Sequence, residues 1–580
     1  MVSRVSLERD VEVPMRDGTV LRADVYRPDD GDRHPVLVQR TPYDKTFYPF
    51  TWGGSFDPTK MAVAGYAVVI QDVRGRWASE GSFYPYANEA DDGHDTIGWA
   101  AAQPWSNGDV GTYGVSYMGL SQWLAASTGP AALRAMATVT APNHAKLDLI
   151  QRGGALHLGV LAYWTTALGL HELVRRRAGS PEFPADFLGL VEDIDTLDDR
   201  MRQLPLQPFG PLQRAGGLIP MFDDEVREEV PTDRHLGMGA AHRHGQVGVP
   251  VLQLAGWYDL CLQPDLDHFV AMRSSGATDD ARRLSRIVVA PWAHAGYAGT
   301  VGELDFGFRA SGLLLDLRED LTALHRRWFD ARLRGQPTGI DDEAPVKLFV
   351  MGRNRWRDED DWPLRRARPE RWHTQADGGL TREPPPAEAA PGIFALDPDD
   401  PVPTTGGTLL MTAKYVRGPV HQAHVEARPD VLVFTSAPVG EDYEVTGRVT
   451  FAAHVAAETP DTDVVVKLCD VHPDGRSYNV VDGIRRLRFR DSLTEPTPAV
   501  PGQTYRVEVD LWSTSHVFLP GHRLRVLVTA SDFPRYDRCP GTGEGSATAT
   551  RVVPQRNRLF CDAARPSHLE VPHVPASVRA

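Results

Sequence analysis

The 580-residue chain has few cysteines, and no two of them form a C-x-x-C pair. The four are Cys261, Cys469, Cys539 and Cys561. Such widely spaced thiols give no pattern for a zinc knot or a disulfide framework, so we interpret all four as free. Apolar runs long enough to span a bilayer are also lacking, and the first residues have no signal-peptide core. We therefore expect a soluble, cytoplasmic protein without a membrane partner.

Positive charge is scarce as well. The chain has 62 Lys and Arg against 77 Asp and Glu, which leaves a formal net charge of −15. A nucleic-acid groove needs a positive patch that displaces counterions, so this balance argues against a nucleic-acid partner. Hydrophobic residues make up 42% of the chain, and its length allows two or three separate cores. The sequence therefore predicts a multidomain globular protein.

Short apolar runs alternate with polar or helical stretches through the first third of the chain. Runs of this kind lie at residues 35–39, 66–71, 110–114 and 135–139. Continuous β-branched runs are typical of strands buried on both faces, and residues 88–103 have the spacing of a crossover helix. This βαβ pattern predicts a mostly parallel sheet.

The strand pattern lapses over residues 146–245, where helical segments rich in Leu and Arg are separated by Gly and Pro loops. Because it then resumes, the interruption predicts a helical cap inserted into the sheet. Beyond a proline-rich stretch at 383–388, alternating β-branched runs favour an all-β sandwich of jelly-roll type. We thus predict an α/β fold with a core at 1–145 and 246–354, a cap at 146–245 and a jelly-roll domain at 355–580.

A candidate nucleophile elbow follows the apolar run at 110–114. The residues Gly114-Val115-Ser116-Tyr117-Met118-Gly119 lead from the predicted strand into an apolar helix, which places Ser116 at the tip of a sharp turn. The backbone N–H of Tyr117 would then donate to the oxyanion of a tetrahedral intermediate. The motif departs from G-x-S-x-G because Met118 stands at the usual glycine position.

A serine nucleophile requires a base and a third group that orients the base. Asp259 and His294 follow Ser116 in the order Ser, Asp, His that α/β-hydrolases use, and each comes just after a predicted strand. Ligands collect at the carboxyl ends of parallel strands, so these three side chains are expected to meet there. We predict a catalytic triad that uses no metal and no cofactor.

Motifs along nearly the whole chain resemble the CocE/NonD family of hydrolases, which includes cocaine esterases and X-prolyl dipeptidyl-peptidases. The likeness is strongest to the bacterial cocaine-esterase branch. The motifs lie at residues 13–18, 41–45, 71–75, 79–81, 114–119, 256–259, 291–294 and 518–523. The resemblance implies an α/β-hydrolase core, a helical cap inserted after the sixth strand and a C-terminal jelly roll.

The resemblance also has implications for the site. It implies that the Tyr43 hydroxyl is the second oxyanion donor and that Trp164 in the cap is one wall of the acyl pocket. Leu260 and Cys261 stand where the cocaine-esterase branch has a glycine and a phenylalanine facing that pocket. Cocaine is therefore not assumed as the substrate.

The predicted function is hydrolysis of a small-molecule carboxylic ester through an acyl-enzyme. One alternative is an X-prolyl dipeptidyl-peptidase or α-amino-acid ester hydrolase, whose ammonium-bearing substrates need carboxylates beside the acyl pocket. Asp223, Asp224 and Glu225 in the cap are the candidates for that role. A second alternative is a binding protein in which the jelly roll recognises carbohydrate or a partner and the core is vestigial. The oligomeric state stays open, a homodimer included.

Overall fold

A computed structural model describes residues 4–47 and 55–575. Among these residues, a ten-stranded sheet forms the centre of the N-terminal part of the chain, from residue 5 to residue 359. Its strands are β1 (Val5–Pro14), β2 (Val20–Pro28), β3 (His34–Thr41), β4 (Ala67–Asp72), β5 (Ser106–Val115), β6 (Leu133–Val139), β7 (Val251–Tyr258), β8 (Arg286–Ala293), β9 (Val346–Val350) and β10 (Arg355–Glu359).

The strands lie in the order β1-β2-β4-β3-β5-β6-β7-β8-β9-β10. From β4 to β9 every neighbouring pair is parallel, whereas β1, β2 and β10 are antiparallel to their neighbours. The carboxyl ends of β3, β5, β7 and β8 therefore meet at one edge of the sheet, which is where a site is expected.

Helices cover the sheet and form the cap. They are α1 (Pro58–Val63), α2 (Glu89–Ala102), α3 (Tyr117–Ala126), α4 (Leu158–Arg177), α5 (Phe183–Asp195), α6 (Leu197–Arg202), α7 (Met221–Arg227), α8 (Asp233–Gly237), α9 (Leu262–Ser275), α10 (Asp279–Leu284) and α11 (Leu321–Arg334). Helices α4 to α8 lie between β6 and β7, after the sixth strand. None of the described helices is both long and apolar enough to cross a bilayer.

Successive side chains of a strand point to opposite faces of the sheet, and helices pack against both faces. In β3, Val36 and Val38 pack in one hydrophobic cluster with residues of α2 and α3, while Leu37 packs in another with Phe329 of α11. Helix α11 begins at Leu321. The reason is local, because the Asp320 side chain caps the helix by accepting from the Ala323 N–H at 2.7 Å.

The C-terminal domain is an antiparallel β-sandwich. Its strands are β11 (Arg368–Thr374), β12 (Leu380–Thr381), β13 (Gly392–Leu396), β14 (Leu432–Thr435), β15 (Tyr443–Ala457), β16 (Asp463–Val471), β17 (Ser477–Arg486), β18 (Tyr505–Phe518), β19 (Arg523–Thr529), β20 (Gln555–Leu559) and β21 (His568–Val574). One short helix, α12 (Ala423–Glu426), lies between β13 and β14.

Two sheets make up the sandwich. One follows the path β12-β11-β21-β15-β20-β13 with β18 beside β15, and the other is β14-β19-β16-β17. Phe451 of β15 and Val526 of β19 belong to the same buried cluster, so the two sheets enclose one core. The mixed α/β core and this β domain confirm the predicted fold class.

The core sheet continues past residue 354, where the sequence pattern placed a domain boundary. Strand β10 pairs with β9, but its sequence, RWRDE, is too polar to resemble a buried strand. The proline-rich stretch at 383–388 is a loop within the β domain, because β11 precedes it and pairs with β21. Both the extension of the core sheet and the position of the loop depend on which strands pair, and local sequence patterns do not show strand pairing.

Candidate active site

Ser116 occupies the turn between β5 and α3. Its backbone has φ 59° and ψ −115°, a combination that residues other than glycine rarely adopt. Hydrogen bonds hold this strained turn: the Ser116 N–H donates to the Val139 carbonyl oxygen at 2.8 Å, and the Gly119 N–H donates to the Ser116 carbonyl oxygen at 2.8 Å. The side chain is thereby held at the N-terminal end of α3.

Close packing explains the unusual spacing of glycines in the elbow. A Cβ atom on Gly114 would lie 2.5 Å from Cβ of Met118, and one on Gly119 would lie 2.7 Å from Cβ of Ala141. Gly114 therefore provides the space that Met118 needs. Gly119 allows the start of α3 to pack closely against Ala141. In the usual motif this is the task of a glycine two residues after the serine, whereas Gly119 lies three residues after Ser116.

The structure brings Ser116, His294 and Asp259 into a continuous hydrogen-bonded chain. His294 Nε2 lies 3.0 Å from Ser116 Oγ, and His294 Nδ1 lies 3.0 Å from Asp259 Oδ2. Asp259 directly follows β7 and is fully buried, and His294 directly follows β8 and is 4% exposed. This arrangement allows the imidazole to accept the serine proton while the carboxylate orients the ring and stabilises the imidazolium.

Two further contacts fix the strand ends that precede Asp259 and His294. A Cβ atom on Gly256 would lie 2.4 Å from the Trp292 carbonyl oxygen, so only glycine permits β7 and β8 to approach this closely. From the β domain, Arg417 Nη1 donates to the His294 carbonyl oxygen at 2.6 Å. Sequence reasoning missed Arg417, because no local motif marks a loop arginine that reaches the site from another domain.

Tyr43 lies in the loop after β3, beside the elbow. The Trp164 Nε1–H of cap helix α4 donates to the Tyr43 hydroxyl oxygen at 3.0 Å. Burial raises the pKa of Tyr43, so the hydroxyl keeps its proton at neutral pH and can act as a donor. The Tyr43 ring packs edge-on against the Tyr117 ring, with centroids 6.4 Å apart.

Both sides of the Tyr43 loop are anchored. On one side, the Pro42 carbonyl oxygen accepts from Arg76 Nε at 2.9 Å and from Trp77 Nε1 at 3.1 Å. On the other, Lys45 donates to Asp72 from its backbone N–H at 2.8 Å and from Nζ at 2.9 Å. Asp72 of the 71–75 motif, together with Arg76 and Trp77 directly after it, therefore holds this loop in place.

The side chain of Tyr117 is held by hydrogen bonds, and its backbone N–H lies at the start of α3. Its hydroxyl donates to Glu89 Oε1 at 2.9 Å and accepts from the Tyr86 N–H at 3.1 Å. Glu89 in turn pairs with Arg40 Nη1 at 2.5 Å, and all these groups are buried. This internal network under the elbow has no signature in the sequence.

The three predicted pocket residues are buried, with Trp164, Leu260 and Cys261 exposed by 7%, 1% and 1%. The Cys261 thiol belongs to the immediate surroundings of the triad, because Sγ lies within 4.8 Å of ligand atoms of Asp259 and His294. Burial raises the pKa of this thiol well above its usual value, so it is neutral. Leu260 shares a hydrophobic cluster with Trp164 and Cys261.

The cap carboxylates are already engaged. Asp223 accepts from the Phe209 N–H at 2.9 Å, and Asp224 accepts from the Tyr84 hydroxyl at 3.1 Å. Glu225 is buried against three cationic or imidazole groups, each 3.0 Å away: Lys146, Arg234 and His235. Burial acts to raise the pKa of Glu225, but these partners outweigh it and lower the pKa to about 2. These contacts do not favour an ammonium site at the three carboxylates.

Comparison with known protein families also divides the chain into a hydrolase part and a C-terminal β part. Residues 17–296 match the X-Pro dipeptidyl-peptidase (S15 family) model, and residues 338–570 match the X-Pro dipeptidyl-peptidase C-terminal non-catalytic domain. Cocaine esterase from Rhodococcus sp. (strain MB1 Bresler) is 37% identical over 584 residues, with 98% of each chain covered.

Two solved structures are similar over nearly their full length. An aminopeptidase from the marine sediment archaeon Thaumarchaeota archaeon has a TM-score of 0.80 at 23% identity, with 99% of this chain and 97% of that chain covered. An α-amino acid ester hydrolase has a TM-score of 0.78 at 24% identity, with the same coverage. These two support the fold, and the relative matched from end to end supports the family. The chain belongs to the CocE/NonD family of serine hydrolases, in which an S15-type catalytic domain is followed by a β domain.

Proposed function

We propose that this chain is a carboxylic ester hydrolase that cleaves small-molecule esters through an acyl-enzyme on Ser116. The observation that carries the proposal is the position of His294, which lies between Ser116 Oγ and the buried Asp259 carboxylate at hydrogen-bond distance from both. Backbone strain of the kind seen at Ser116 clusters at functional sites, so the strain and this contact together argue against a vestigial core.

The reaction proceeds in two halves. His294 Nε2 accepts the Ser116 proton as Oγ attacks the ester carbonyl carbon, and the Tyr43 hydroxyl and the Tyr117 N–H donate to the oxyanion. His294 then returns the proton to the leaving alcohol, which gives the acyl-enzyme. Water, deprotonated by the same imidazole, releases the acid and restores the free serine.

Comparison of an ester with an amide tests the substrate class. We expect a burst of p-nitrophenol from p-nitrophenyl acetate or benzoate, and little cleavage of Gly-Pro-p-nitroanilide, because the cap carboxylates are held by other groups. Efficient release of p-nitroaniline would instead favour the amide-directed activity of an X-prolyl dipeptidyl-peptidase.

Removal of the Tyr43 hydroxyl tests the oxyanion assignment. Loss of one oxyanion donor costs about 10²–10³ in kcat, so Tyr43→Phe should lower kcat by that factor with little change in KM. Tyr113→Phe is the matched control, because the Tyr113 hydroxyl lies in the core without a hydrogen-bond partner among the described residues. Similar turnover in Tyr43→Phe and Tyr113→Phe would remove Tyr43 from the oxyanion hole.

Trp164 is proposed to position Tyr43. A neutral hydrogen bond contributes about 1 kcal/mol, so Trp164→Phe should lower kcat about fivefold. If Trp164 acts only through the hydroxyl it contacts, adding Tyr43→Phe to Trp164→Phe should produce no loss beyond that of Tyr43→Phe alone. Multiplicative losses in the double variant would mean that the two residues act independently.

A further inference from the structure

Four titratable side chains converge where the β domain meets the hydrolase core. Asp470 lies in β16, His472 follows that strand, His516 lies in β18 and His522 directly precedes β19. Together they line a cavity of about 170 Å³. Tyr258, the residue before Asp259, lines the same cavity from the core.

We propose that Asp470, His472 and His522 form a binding site for a divalent transition metal of the Zn²⁺ class. One ligating atom from each of the three lies within 4.8 Å of the other two. Within the set, His522 Nδ1 lies 2.8 Å from Asp470 Oδ1, and His472 Nε2 lies 3.9 Å from Asp470 Oδ2. Zinc ligands at about 2.0–2.2 Å from the ion lie roughly 3–4 Å from one another, so small side-chain movements complete the set.

The fourth residue, His516, is placed to orient the carboxylate. Its Nε2 lies 2.9 Å from Asp470 Oδ2, and its Nδ1 is buried without a hydrogen-bond partner in the described part of the chain. A carboxylate that ligates a metal is itself usually held by an outer hydrogen bond of this kind. Asp470 is 3% exposed and His516 is 6% exposed, so the pair lies in the interior.

The His472 ring has no hydrogen-bond partner among the described residues and is 25% exposed, so it is open to the cavity. Its centroid lies 4.5 Å from that of His522. A bound metal would replace the His522–Asp470 hydrogen bond and would also give the His472 ring a partner, while His516 keeps its contact with Asp470.

The donor set selects the metal. Imidazole nitrogen together with one carboxylate suits Zn²⁺ and its neighbours, whereas Ca²⁺ and Mg²⁺ prefer oxygen ligands throughout. Three protein ligands beside a cavity leave a position for water. Because Tyr258 lines the same cavity, a bound ion would lie near the strand end that precedes Asp259.

Zinc titration of the full-length, metal-free protein by calorimetry is the first test. We carry it out in a Cys261→Ala background, since Asp259, Cys261 and His294 form a second set of metal-ligand types. One Zn²⁺ per chain is expected, with no comparable binding of Mg²⁺. His472→Ala and His522→Ala should abolish this stoichiometric binding, and His516→Ala should weaken it about 10–100-fold. His454→Ala, a histidine of β15 outside the cluster, should bind as tightly as the parent.

Crystals soaked in Zn²⁺ give a readout that does not depend on variants. An anomalous peak within ligand distance of Asp470, His472 and His522 is the expected result. Absence of stoichiometric binding, equal affinity in the His472→Ala and His454→Ala proteins, or a peak found only elsewhere would overturn the proposal. Circular dichroism of each variant separates loss of the site from loss of the fold.

Discussion

Ser116→Ala is expected to lower kcat for p-nitrophenyl acetate by about 10⁶-fold, the loss typical when a serine nucleophile is removed from a triad. In the proposed reaction the Ser116 oxygen forms the acyl bond, and alanine has no atom that can replace it at the tip of the elbow. The elbow backbone is held by the Ser116 N–H and carbonyl groups, which alanine retains, so the variant should fold. Steady-state and stopped-flow release of p-nitrophenol measure both turnover and burst.

Ser121→Ala is the matched control for that variant. Ser121 lies in α3, the helix that follows Ser116, is buried, and donates its hydroxyl to the Met118 carbonyl oxygen at 3.1 Å. Its loss should leave the burst amplitude unchanged. A Ser116→Ala protein with the turnover of Ser121→Ala would rule out Ser116 as the nucleophile.

Asp259→Asn is expected to lower kcat by about 10⁴-fold, as loss of the triad carboxylate does elsewhere. The amide keeps the size of the side chain but can hold the imidazole in the wrong tautomer, so that Nε2 no longer accepts the serine proton. The imidazolium formed during attack also loses its counter-charge. The effect should appear in the rate constants of both acylation and deacylation, because His294 is the proposed base in each half.

Asp265→Asn controls for the change of a buried carboxyl to an amide. Burial raises the pKa of Asp265 well above its usual range, which favours the neutral carboxylic acid, and the amide resembles that form. Asp265 Oδ1 accepts from the Ala141 N–H at 3.0 Å, a bond that the amide oxygen can keep. Equal activities of the Asp259→Asn and Asp265→Asn proteins would show that Asp259 does not orient the base.

Much of the core could be predicted from the sequence, because buried parallel strands are short and apolar and the polar residues that end them are conspicuous. Asp259 and His294 are such residues, and each lies one position beyond its strand. The glycines of the elbow were visible too, although their separate roles required the distances to Met118 and Ala141.

Contacts between distant segments could not be predicted from local patterns. The hydrogen bond from Trp164 to Tyr43 joins residues far apart in the sequence, and the proposed role of Tyr43 rests on family resemblance rather than on spacing. Arg417 reaches His294 from the β domain, and the polar strand β10 joins the core sheet. Each depends on how the chain packs in three dimensions.

Covalent labelling tests the central claim most directly. The wild-type protein is treated with a fluorophosphonate probe, digested and sequenced by mass spectrometry, with Ser116→Ala and Ser121→Ala in parallel. The account predicts one phosphonylated peptide modified at Ser116, equal labelling of Ser121→Ala, and none of Ser116→Ala. A wild-type protein that stays unlabelled, or a label on another residue that persists in Ser116→Ala, would contradict it.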